Sequence, residues 1–143
     1  MSIILNRRKN YLSKVGEEML TVSKDVDGKC GKVDLPIQDI LYMSYDRWKE
    51  RVIIHTFRGV FYLVGTLKFW ETLLNSSGCN FLNVDRSNSI NMEKVVLMNS
   101  VFRVAYFSHD ISKDSPKCQI AIRRYEEVAQ TLNLFNPNIV FAT

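Results

Sequence analysis

Paired metal-ligand cysteines, catalytic constellations and long apolar runs are all missing from this chain, and each absence removes a class of function. The three cysteines, Cys30, Cys79 and Cys118, are odd in number and far apart. A disulfide framework favours an even count at tighter spacing, and a zinc site favours C-x-x-C pairs, so these read as reduced thiols acting as small apolar side chains. There are two histidines, and neither stands in an H-x-x-x-H or Cys/His spacing. His55 lies in an apolar run and reads as a hydrogen-bonded structural histidine. His109-Asp110 lies in a polar stretch and reads as a solvated turn. No nucleophile elbow of the form G-x-S-x-G, no phosphate-binding loop and no G-x-G-x-x-G occurs. Glu17-Glu18 and Glu126-Glu127 are adjacent pairs, and neighbouring side chains point apart on a helix or strand. They are surface charge, not an acid/base dyad. Neither an enzyme nor a cofactor is expected, and no small-molecule substrate is implied.

No apolar run approaches the ~18 residues of a membrane span. Met1-Ser2-Ile3-Ile4-Leu5 is too short for a signal-peptide core and runs straight into Arg7-Arg8-Lys9. The expected compartment is the cytoplasm, with no membrane partner. What is present is the composition of a globular protein: 46% apolar and 24% charged in 143 residues, enough for one well-filled core and too little for a second ordinary domain. The net charge is +4, and Arg7, Arg8, Lys9 and Lys14 account for all of it. The body beyond this arm is neutral. A sequence-indifferent DNA binder displays a broad basic face, because counterion release from many phosphates supplies its affinity. If this body binds nucleic acid, a few placed side chains must do it.

Short β-branched and aromatic runs separated by turns predict a mainly antiparallel β protein with short helices. Strands are expected at residues 19–22, 39–45, 51–56, 60–64, 81–84, 95–98, 102–107 and 119–122, with a hairpin tip at Arg58-Gly59. The polar stretch Asp46-Arg47-Trp48-Lys49-Glu50 separates the second and third strands. Two helices are predicted. Thr66 can cap one in which Leu67, Trp70, Leu73 and Leu74 share a face, and Tyr125, Val128, Ala129 and Leu132 mark another that closes at Asn136-Pro137. Asn91 is expected to be a turn amide bonded to backbone. Phe61, Tyr62, Phe102, Tyr106 and Phe107 read as strand core or sheet face, not as base-stacking platforms.

The most informative stretch is Phe81 to Val95, with Asp85-Arg86-Ser87 at its centre. One arginine among small hydrogen-bonding residues at a strand end suits contact with phosphates and base edges. Phe81, Arg86-Ser87, Ile90-Asn91 and Val95 follow the pattern F-x-x-x-x-R-S…V-N…I. Upstream stand Ile40-Leu41-Tyr42, then Val52-Ile53-Ile54-His55-Thr56 with Gly59 and Tyr62, then Leu67 to Leu74. Downstream stands Ile122-Arg123-Arg124. In this order, over roughly a hundred residues, the set resembles the LytTR family of DNA-binding domains of LytR/AlgR-type bacterial transcriptional regulators. The chain departs from the family at Asp85, where a histidine is usual, and at Ile122, where a serine is usual.

The resemblance implies an elongated arrangement of small antiparallel β-sheets that reads DNA through strand-end loops instead of a recognition helix. It divides the chain into a basic arm and first strand (1–31), a LytTR-like DNA-binding domain (32–135) and a C-terminal tail (136–143). Carried over by position, it implies three DNA-facing points. The first is the loop 46–50 with Arg47 and Lys49, the second is Arg86 with Ser87 and Asn88, and the third is Arg123 with Arg124. The implied function is sequence-specific double-stranded DNA binding by a free-standing transcriptional regulator that reads the major groove, as a homodimer on repeated half-sites. The alternative is a protein-interaction module that keeps the fold and has lost DNA binding; Asp85 and the neutral body favour it, while Arg86, Arg123 and the arm favour DNA.

Overall fold

The computed structural model describes residues 18–143. The cations Arg7, Arg8, Lys9 and Lys14 of the basic arm lie outside the described residues. The described residues form eleven strands and two α-helices in order: β1 (Met19–Ser23), β2 (Lys32–Pro36), β3 (Tyr42–Asp46), β4 (Arg51–Thr56), β5 (Gly59–Leu63), α1 (Leu67–Ser76), β6 (Phe81–Asp85), β7 (Asn88–Asn91), β8 (Leu97–Asn99), β9 (Val104–Tyr106), β10 (Lys117–Gln119), α2 (Tyr125–Phe135) and β11 (Val140–Ala142). One sheet has the order β2-β1-β5-β4-β3-β7-β6, and the other β10-β9-β8-β11. The mainly antiparallel β expectation holds. One pairing departs from it: β11 lies parallel to β8, so residues 136–143 include a strand of the second sheet.

The β3–β4–β5 meander is what its sequence demands. Along Arg51–Thr56 the burial alternates, with Val52, Ile54 and Thr56 inward, the period of two that a half-buried strand imposes. His55 faces the opposite side, stacked on Tyr42 with ring centroids 4.0 Å apart and hydrogen-bonded through Nε2 to Ser44 Oγ at 2.8 Å. Burial holds its pKa down at about 4, so it is neutral, as a structural histidine should be. Asn91 also takes its expected role: Nδ2 donates to the Ile40 carbonyl at 2.9 Å, and Oδ1 accepts from Glu93 N–H.

Helix α1 begins where Thr66 Oγ1 accepts the Phe69 N–H at 3.0 Å. Just before it, Gly65 has φ +120, and an added Cβ would sit 3.0 Å from Trp70 Nε1, which donates to the Val64 carbonyl. Only glycine satisfies both constraints. Leu67 and Leu74 are buried, with Trp70 packed beside them. Leu73, expected on that face, is 43% exposed, because position i+6 falls outside the stripe that i, i+3 and i+7 define. In α2 the expected face is the buried one, with Tyr125, Val128 and Leu132 inward.

Two apolar clusters result. Leu35, Ile40, Met43, Val52, Ile54 and Leu63 pack with α1. Leu41, Ile90, Met98, Ala105, Cys118 and Ile120 pack with α2, which fastens the second sheet to the first. Burying each large side chain contributes about 1.5–3 kcal/mol, so α2 sets the relation of the two sheets with several such contacts. The cysteines are free, Cys118 is buried in this second cluster, and burial pushes its thiol pKa well up. Among the described residues, no helix is long and apolar enough to cross a membrane.

Besides β11, two strands went unread in the sequence. Lys32–Pro36 is a short edge strand beside β1. Asn88–Asn91 is almost wholly polar and is a strand because β3 and β6 bond it from both sides. Asn88 therefore opens a strand, and the β6–β7 turn is only Arg86-Ser87.

Candidate nucleic-acid interface

Hydrogen bonds tie together four chain segments at the ends of the strands. The first is the β3–β4 turn. Asp46 Oδ1 accepts the N–H groups of Trp48 and Lys49 at 2.9 and 3.0 Å, and Glu50 N–H closes on the Asp46 carbonyl at 2.8 Å. Glu50 takes φ 55, a left-handed conformation costly for a residue with a Cβ. Arg51 offsets the cost: its Nη1 donates to the carbonyls of Lys49 and Glu50, and its Nε to the Val26 carbonyl at 3.0 Å. The turn is thus fixed from inside, with Arg47 exposed and Trp48 96% exposed at its tip. Lys49 leans back, its Nζ 4.0 Å from Asp46 Oδ2 and 5.7 Å from the centre of the Tyr62 ring.

The second segment is the β6–β7 turn. Asp85 Oδ1 accepts the Arg86 N–H at 2.6 Å, so the carboxylate shapes the turn that presents the arginine. Asn83 Nδ2 bonds the carbonyls of Asp85 and Asn88 from beneath. Tyr45 N–H donates to the Ser87 carbonyl at 2.9 Å, which joins this turn to the β3–β4 turn. The Arg86 side chain is exposed and, among the described residues, enters no hydrogen bond or ion pair. It does not form the surface ion pair with a nearby acid that is the usual structural role of such an arginine.

The third segment precedes α2. A bulge between Asn83 and Asp85 leaves Val84 outside the ladder, and its carbonyl accepts the Ala121 N–H at 3.0 Å. A short 3-10 turn, Ile122–Arg124, follows, with Arg123 and Ile122 exposed. Arg124 points the other way. Its Nη1 donates to the Asn83 carbonyl at 2.6 Å and to Asn83 Oδ1 at 3.0 Å, while Nε approaches Glu127 at 3.5 Å. Adjacent arginines thus take different directions, and Arg124 binds the protein's own backbone.

The fourth segment, the β8–β9 turn, was not singled out in the sequence. Asn88 Nδ2 donates to the Gln119 carbonyl at 2.9 Å, and Gln119 Nε2 donates to the carbonyls of Phe102 and Arg103, each at 3.1 Å. Arg103, at φ 55, is the second non-glycine residue in the left-handed region. Phe102, expected in a strand face, sits exposed in this turn, because Asn99 Oδ1 captures the N–H groups of Val101 and Phe102 and the next strand, β9, begins only at Val104. The sequence signal was there: an arginine and two apolar residues directly after Asn99-Ser100, a turn-forming pair.

Chemically, the edge offers the guanidinium groups of Arg47, Arg86 and Arg123, without ion-pair partners among the described residues, each on a turn held by backbone bonds. A guanidinium fork matches guanine O6/N7 or a phosphate. Ser87 and Asn88 have their backbone carbonyl and side-chain amide nitrogen, respectively, engaged in holding the edge together. Among the described residues, no group of three or more His, Cys, Asp or Glu side chains is placed to hold a metal ion.

Comparison with known proteins bears on the family and the fold. The family model for the LytTr DNA-binding domain matches residues 31–133. A solved LytTr DNA-binding domain from Bacillus cereus, described as part of a response regulator, superposes with a TM-score of 0.60 at 14% identity, covering 82% of this chain and 97% of that one. No curated protein matches the chain. The chain belongs to the LytTR family of DNA-binding domains.

Proposed function

We propose that this chain binds double-stranded DNA sequence-specifically and regulates transcription, reading the major groove through its strand-end turns. In this reading Arg86 and Arg123 contact base edges, Arg47 and Lys49 engage phosphates, and Ser87 lends a hydroxyl beside Arg86. Asn88 and Arg124 act from behind by holding the turns in place. Two copies on repeated half-sites, within the cytoplasm, are the working form. A duplex that curves toward the edge lets separated turns reach it together.

The observation that carries the reading is the bonding of the turns and strand ends to neighbouring strands: Tyr45 to Ser87, Ala121 to Val84, Asn88 to Gln119 and Gln119 to Arg103. Turns locked this way fix the backbone from which the arginines project, so less ordering entropy opposes binding. Selection of bound duplexes from a random library tests it, and an enriched motif with repeated halves is expected. Equal affinity for selected and scrambled duplexes, or no binding at all, would overturn the proposal. The second outcome would leave the fold as a protein-interaction module.

A further inference from the structure

Trp48 is the most exposed large apolar side chain of the described residues, at 96%. Its neighbours do not account for this. Among the described residues the indole has no ring partner and Nε1 no hydrogen bond, while the other tryptophan, Trp70, packs against a core cluster and donates to Val64. Nor is Trp48 carried on a loose loop. Its own N–H is bound to Asp46 Oδ1 at 2.9 Å, and Arg51 holds the carbonyls of the two residues that follow it. A large indole left in water on a braced turn is a side chain suited to an interface, apolar over its rings and polar at Nε1.

The surroundings say what kind of partner. Arg47 adjoins Trp48 in the chain and, exposed and unpaired among the described residues, is the cation left to meet an anionic surface, whereas Lys49 leans back toward Asp46. The bond from Tyr45 to Ser87 sets this turn beside the one that carries Arg86. We infer that Trp48 is an apolar contact to duplex DNA, packing its indole on deoxyribose or thymine-methyl carbon while Arg47 engages the adjacent phosphates. The inference rests on the DNA-binding reading above and adds a residue that acts by neither charge nor base-edge hydrogen bonding.

The test uses the full chain and a selected duplex. Trp48→Ala should weaken binding by roughly ten- to hundred-fold, the range that burial of one large apolar side chain gives. Its melting temperature and the slope of log K against log salt should stay at the wild-type values. Arg47→Ala should instead reduce that slope by about one. Wild-type indole emission should be shielded from acrylamide by DNA, and that shielding should vanish in Trp48→Ala. Replacing thymine by uracil in the duplex separates the two carbon sources. Lower affinity identifies the methyl group, and unchanged affinity with shielding retained identifies the sugar.

Wild-type affinity in Trp48→Ala, beside lost base preference in Arg86→Ala, would overturn the inference and leave the DNA-binding reading standing. A wild-type chain that selects no duplex would overturn both. A drop in oligomer mass on Trp48→Ala, with affinity per protomer unchanged, would assign the indole to a second copy of the chain and overturn the DNA contact.

Discussion

Arg123 and Arg124 are neighbours in sequence, and their replacement by alanine should give opposite results. Arg124 Nη1 holds both the carbonyl and the side-chain oxygen of Asn83, at 2.6 and 3.0 Å. Asn83 in turn supports the Arg86 turn through the carbonyls of Asp85 and Asn88. Hydrogen bonds to a charged group contribute about 1.5–3 kcal/mol, and removing the donor leaves a part-buried carbonyl short of a partner. The Glu127 contact adds little, since it is long and its carboxylate is mostly exposed. Arg124→Ala should therefore cost about 2–3 kcal/mol, which in a domain of this size lowers the melting temperature by roughly 6–12 °C. Arg124→Lys, which keeps the charge and loses the fork, should fall between. Arg123→Ala should melt within about 1 °C of the wild type while losing about 1–3 kcal/mol of affinity for a selected duplex. Thermal and urea denaturation beside a binding titration decide the matter. If Arg124→Ala melts with the wild type and loses affinity as Arg123→Ala does, Arg124 reaches DNA and the assignment made from its hydrogen bonds is wrong.

Three further outcomes are expected. Arg86→Ala should cost about 1–3 kcal/mol on the best site and relax preference at one position, whereas Lys49→Ala should weaken all sequences alike; equal losses on every duplex for both variants would deny Arg86 a base contact. Asp85→Asn, which keeps an acceptor for the Arg86 N–H, should bind nearly as the wild type, and Asp85→Ala should bind more weakly; the reverse order in a titration would place the carboxylate's charge, not its hydrogen bond, at issue. His55, held neutral with a pKa of about 4, opposes protonation that the unfolded chain accepts near 6.5. Its contribution is complete above pH 6.5 and is lost as the pH falls toward 4, up to about 3 kcal/mol. Urea denaturation should show that loss between pH 6.5 and 5 in the wild type and a flatter profile in His55→Phe. Parallel profiles would mean that burial does not control this histidine.

Local rules are enough for much of this protein. Alternating burial along Arg51–Thr56, the Thr66 cap, the α2 face and the roles of His55 and Asn91 each follow from residues close in sequence, because period, capping and turn chemistry act over a few positions. The ordered motifs from Ile40 to Arg124 also gave the family, and Arg86 stood out as a side chain at a strand end. Only tertiary structure decided which way the neighbouring arginines face. Arg124 turns inward because Asn83, 41 residues earlier, offers two oxygens within reach, and no local pattern encodes that meeting. The polar Asn88–Asn91 is a strand only because β3 and β6 flank it, and Val140–Ala142 only because β8 lies alongside. Trp48 sat unread between two charged residues in the sequence. Its exposure depends on the hydrogen bonds of Asp46 and Arg51, which brace the turn and leave the indole in solvent.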